Sequence, residues 1–126
     1  MSTGAGETRA ERARLAEAAV AAYLEQRGFS VVAQNLRLGR LELDVVARQG
    51  TLVVIVEVRT RGPGAWTTAF GSIDSGKRRR IRRAGERLWQ RRYKHDQSVE
   101  RLRFDAASVS FDAAGSSQVE YVEAAF

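Results

Sequence analysis

Cysteine is absent from the sequence, which removes disulfides, thiolate metal centres and thiol nucleophiles together. There is one histidine, His95, just after Lys94. Neither a histidine-based triad nor a histidine-rich zinc site is expected from it. The sequence has no apolar run of the roughly 18 residues that a membrane-crossing helix needs. The Ala-rich stretch from Ala13 to Ala22 is broken by Arg14 and Glu17, so it lacks the continuous apolar core of a secretory signal. These absences lead us to expect a cytoplasmic protein with no membrane partner. The Gly-rich segment around Gly62 to Gly76 has no Gly-x4-Gly-Lys-Ser/Thr pattern, so nucleotide hydrolysis is not suggested either.

What remains is an ordinary globular composition, with 44% hydrophobic and 29% charged residues in 126. That length suits one domain. Met1 to Ala10 mixes Ser, Thr, Gly and charge without periodicity and reads as a flexible tail, leaving residues 11–126 as the single domain. The net charge is +6, but its distribution matters more than its size. Between Lys77 and Arg103 lie 12 Lys or Arg and three acids, a local +9, while the rest of the chain sums to −3. One segment thus carries all the excess positive charge, the footprint of a phosphate-binding surface. The competing reading is a solvated, arginine-rich helix face.

The pattern along the chain predicts an order of helix, three strands, helix, two strands. Good helix formers run from Glu11 to Arg27 before Gly28. Glu17, Val20, Ala21 and Leu24 share one face, and a second stripe of Leu15, Ala18, Ala19 and Ala22 predicts a broad buried side. Phe29 to Ala33 is a short β-rich run. Arg40 to Arg48 alternates, Gln49-Gly50 signals a tight turn, and Thr51 to Arg59 is nearly continuously β-branched, as in a strand covered on both faces. After a loop from Arg61 to Gly76, Ser75 is placed to cap a helix from Lys77 to Lys94 with Ile81, Ala84, Gly85, Leu88 and Trp89 on one stripe. Leu102 to Phe111 and Gln118 to Val122 read as strands. Trp66 and Phe70, in the loop, are suited either to stacking on bases or to packing on the sheet; Trp89 reads as core.

The middle strand carries the chemistry. Side chains alternate across a sheet, so Glu57 and Arg59 share a face that Val56 and Val58 do not. A carboxylate in an apolar strand needs a partner, a metal or a wet strand end. Asp44, on the preceding strand, can come close to Glu57 across the predicted hairpin, in a register the sequence does not fix. Two carboxylates and a cation describe a site for Mg²⁺ and a phosphodiester, since Mg²⁺ takes few carboxylates and completes its shell with water and phosphate. They equally describe a structural salt-bridge cluster of Asp44, Glu57 and Arg59 at a strand end.

Glu42-Leu43-Asp44 followed by Leu52 to Arg61 closely resembles the YraN-like bacterial family, of the PD-(D/E)XK group. Tyr23-Leu24, Gly28-Phe29, Asn35, Arg37, Lys77 and Arg103-Phe104-Asp105 extend the similarity from about Leu15 to Val122. The resemblance implies an α/β fold with a restriction-endonuclease-like core, a mixed sheet flanked by helices. It implies Mg²⁺ or Mn²⁺ on Asp44 and Glu57, with Glu17 as a further acid of the catalytic site and Arg59 as its cation. Nucleic acid, DNA before RNA, is the expected partner, held by Arg61, Lys77, Arg78, Arg79 and Arg82. Glu42, two residues before Asp44, matches a family glutamate and is expected to face away from the site. Two positions depart from the pattern: Leu41 replaces a glycine, and Arg59 stands where the motif has lysine. Arginine keeps the charge but is effectively never deprotonated. The resemblance therefore implies either a metal-dependent nuclease or a module that keeps the fold to bind nucleic acid or protein.

Overall fold

The computed structural model describes residues 8–61 and 73–126. Helix α1 spans Arg9–Gln26. It starts inside the segment expected to be a tail, because Thr8 and Glu11 form a reciprocal capping box that satisfies the first free amides. Its buried face is Glu17, Val20, Ala21 and Leu24, as predicted, with Ala16 added. The second stripe is mostly not buried: Ala19 is half-buried against the core, but Leu15 is 49% exposed, and Ala18 and Ala22 face solvent. One sheet surface covers one side of a helix, and alanines on the far side indicate helix propensity rather than burial.

Three strands follow as a meander: β1 (Ser30–Leu38), β2 (Leu41–Gln49) and β3 (Leu52–Arg61). Strand β1 runs five residues beyond the expected Ala33. It lies at the sheet edge, where Gln34, Asn35 and Arg37 can remain exposed. A register shift between Val31 and Ala33 also breaks its alternation. The β2–β3 turn comprises Gly50 and Thr51, one residue later than predicted, since Gln49 already pairs with Leu52. Gly50 has φ +60°, the conformation a two-residue hairpin requires at its first central position.

Helix α2 (Ser75–Leu88) is capped by Asp74, not Ser75, through a bond from the Lys77 amide to the Asp74 carboxylate. The helix then opens into one π turn, Trp89–Tyr93. Strands β4 (Arg101–Phe111) and β5 (Ser117–Val122) complete a five-stranded mixed sheet in the order β1-β2-β3-β4-β5. Only the β3–β4 pair is parallel, and α2 is its crossover. The two helices cover opposite faces. Val53 and Ile55 pack with Ile81, Ala84 and Leu88 of α2, while Val54 and Val56 pack with Ala16, Val20 and Leu24 of α1. β3 is therefore the doubly covered central strand its composition indicated. Among the described residues no helix is long and apolar enough to cross a membrane.

Fully buried Asp105, on β4, ties the C-terminus to the sheet. It accepts two bonds from the Arg103 guanidinium, one from the Tyr121 hydroxyl and one from the Ala124 amide. Such complete partnering offsets the cost of burying a carboxylate. It also marks Asp105 as structural.

Candidate active site

The site forms where β2 and β3 part. Their backbone pairing stops at Val45 opposite Val56. One step further, Asp44 and Glu57 would have been the next facing residues. Instead Asp44 turns its carboxylate into the gap and accepts the Val58 amide at 2.9 Å. The strand changes sides at this point: Leu43 packs toward α2 whereas Val45 packs toward α1. Strict alternation would have placed both on one face.

Glu57 is 4% exposed and lies on the α2 face. The Lys77 Nζ is 3.1 Å from its Oε2, and the Arg59 Nε is 3.4 Å from the same oxygen. The lysine comes from the first turn of α2. Its approach follows from topology, since a crossover helix leaving the C-terminal end of β3 must begin over that end. The Arg59 Nε is buried and makes no well-aligned hydrogen bond, so its contact with Glu57 is electrostatic. Asp44 feels the crowding. Burial first, and then the Glu57 charge, push its carboxyl from 3.8 up to about 7, against the opposing effects of the Val58 amide and Lys77. Two carboxylates at this spacing hold a proton that a cation between them would displace.

Glu17 reaches toward the same region from α1. It is 7% exposed, and its Oε1 has no hydrogen-bond partner. Burial raises its pKa, with smaller upward contributions from Asp44 and Glu42 and an opposing bond to the Asn35 side chain. Asn35 sits on β1 at φ +53°, a left-handed conformation that asparagine tolerates. Glu42, expected to face away, stands two residues from Asp44, a spacing that alternation keeps on one side. It borders a cleft of about 180 Å³ with Asp44, Glu57, Lys77 and Arg80, and it also pairs with Arg37 at 3.6 Å.

The remaining candidates divide between the helix surface and the sheet. Arg78, Arg79 and Arg82 are exposed along α2, as a phosphate-binding face requires. Arg61 instead pairs with Glu120 of β5, outside the cleft lining. His95 is exposed beyond the π turn. Trp66 and Phe70 lie outside the described residues. Sequence reasoning assigns Lys77 to phosphate alone and misses its contact with Glu57; the crossover topology is the signal that could have found it. Asn35 stands out in the sequence through the resemblance only, and nothing local announces its bond to Glu17.

An α/β protein with a five-stranded mixed sheet between two helices, carrying paired carboxylates at a strand divergence, is the class that fold and site define. The model of the uncharacterised protein family UPF0102 matches residues 16–109, and the chain belongs to that family, the YraN family. A UPF0102 protein of Sorangium cellulosum is 55% identical over 88% of this chain and 77% of its own length. One from Anaeromyxobacter dehalogenans is 37% identical over 98% and 89%, and one from Porphyromonas gingivalis is 37% identical over 92% and 84%.

Proposed function

We propose that the chain binds nucleic acid along α2 and hydrolyses phosphodiester bonds at the Asp44–Glu57 cleft with the help of a divalent cation. The observation that carries this reading is the meeting of two carboxylates at the β2–β3 divergence, with Asp44 raised to about 7 and Lys77 on Glu57. The donor set suits Mg²⁺ or Mn²⁺. An ion of this kind takes one or two carboxylates and leaves the rest of its shell to water and phosphate. Held by Asp44 and Glu57, the ion would supply water activation and charge neutralisation at the phosphate.

The chain's own residues do the rest. Lys77 offers the titratable ammonium that the departure at position 59 removes from the motif, while Arg59, permanently charged, stabilises developing negative charge. Lys77 and Arg59 also hold the Glu57 carboxylate through the same oxygen. The arginines of α2 hold the phosphates flanking the cleft.

A second reading, binding without hydrolysis, is favoured by the same ion pairs: two cations already neutralise Glu57. One experiment separates the two. Purified protein is incubated with duplex, branched and single-stranded DNA and with structured RNA, in Mg²⁺ or Mn²⁺. The expected result is metal-dependent cleavage that Asp44→Ala abolishes, that Lys77→Met lowers by roughly a hundredfold, and that Arg59→Lys preserves or raises. Binding without cleavage in wild type selects the second reading. Cleavage that survives the loss of both Asp44 and Glu57 rejects the site.

A further inference from the structure

At the far end of α2 lies a larger groove, about 780 Å³, between the helix and the start of β4. Five arginines, among them Arg82, Arg91 and Arg101, line it against two glutamates, and Trp89 and Phe104 are part of its lining. The Arg82 guanidinium sits 5.4 Å from the centre of the Phe104 ring. Trp89 is only half-buried.

The π turn creates this arrangement. After Leu88, a regular helix would present Arg91 or Arg92 to the core at the next inward positions. Widening by one residue, marked by the 2.8 Å bond from the Lys94 amide to the Trp89 carbonyl, sends Tyr93 inward instead. Arg91 and Arg92 stay exposed, and the indole is left at the groove. Single π turns inside helices recur at functional sites.

We propose that this groove binds a single-stranded segment of nucleic acid, one base stacking on Trp89 and the adjoining phosphates held by Arg82, Arg91 and Arg101. Guanidinium groups around an aromatic surface match the alternation of phosphate and base in a flexible strand, and stacking is indifferent to sequence. Trp89 stands roughly 18 Å from Lys77 along the helix axis, a few nucleotides from the carboxylate cleft on the same face of the sheet. This inference rests on the nucleic-acid reading above and deepens it: the substrate class becomes a strand with an unpaired segment beside the bond at the cleft.

The test uses the whole chain carrying Trp66→Phe, so that Trp89 is the sole tryptophan, titrated with an oligothymidylate and, separately, with polyglutamate. Saturable quenching by the oligonucleotide is expected, with roughly tenfold weaker binding in Trp89→Ala. Because Trp89 also touches the core, Arg91→Glu/Arg101→Glu, at two exposed positions, gives a second measure and should weaken binding at least as much. Oligonucleotide binding that both groove variants leave at the parent affinity, while Arg78→Glu/Arg79→Glu reduces it, rejects the groove and keeps the nucleic-acid reading. No binding of oligonucleotide, duplex or structured RNA by any variant rejects both. Equal quenching by polyglutamate overturns the proposal in favour of an acidic protein as the occupant.

Discussion

Asp44 holds a position no surface aspartate would choose: partly buried, one backbone amide for a partner, another carboxylate beside it. Its carboxyl rises from 3.8 to about 7 on folding. Between those values the folded state keeps a proton that the unfolded chain has released, so stability falls as pH rises from about 4 through 7. Glu17, raised by burial, acts in the same direction. Asp44→Asn keeps an acceptor for the Val58 amide and removes the charge. It should be more stable than wild type at pH 8 by at least about 1 kcal/mol, with a flatter profile from pH 5 to 8 in urea denaturation. A wild-type stability that increases across this window would show that Asp44 is not held protonated. Millimolar Mg²⁺ or Mn²⁺ should raise the wild-type melting temperature at pH 8 more than at pH 5, because the ion competes with the proton, and should leave Asp44→Asn nearly unmoved.

At the scale of elements, α2 is seated by a missing side chain. A Cβ at Gly85 would come within 2.6 Å of the Phe104 ring and 3.0 Å of the Ile55 side chain. Helix propensity alone favours alanine over glycine in a helix interior by about 1 kcal/mol. The nearness of the sheet reverses the sign: Gly85→Ala should destabilise by about 1–3 kcal/mol, as overpacked cores do, read by thermal or urea unfolding. A more stable variant would mean that α2 rides higher on the sheet than the structure shows. Periodicity alone places Gly85 on the buried stripe of α2, but its close approach to Phe104, nineteen residues away in the chain, is a tertiary fact. The outer half of edge strand β1 escapes the sequence pattern for a related reason. It owes its form to pairing with β2, through Leu36 with Leu43 and Leu38 with Leu41, and its own residues are largely polar.

Over the whole molecule, the basic segment divides between two tasks. Lys77 is drawn into the carboxylate cleft, whereas Arg78, Arg79 and Arg82 remain on the open face of α2. Their joint reversal to glutamate should weaken nucleic-acid binding by well over tenfold. It should also reduce the slope of log affinity against log salt by about 0.9 for each phosphate that is no longer neutralised. Fluorescence anisotropy at several salt concentrations measures both quantities. A folded triple variant with unchanged affinity and slope would remove this face from the interface.

The element order, the doubly covered β3 and the apolar stripe of α2 were legible in the sequence, because each follows from local propensity and the period of the hydrophobic pattern; the hairpin allowed Asp44 to approach Glu57, but the register that decides it was not readable. The family resemblance came from the same stretch, where a carboxylate in an apolar strand stands out against its neighbours. What no local pattern contains is the end of a pairing. That β2 and β3 separate after Val45 and Val56, that β2 changes sides at Asp44, and that Lys77 arrives from a crossover helix twenty residues beyond Glu57 depend on how distant segments share one sheet. Backbone periodicity says which residues share a face only while a strand stays regular, and at this site it does not.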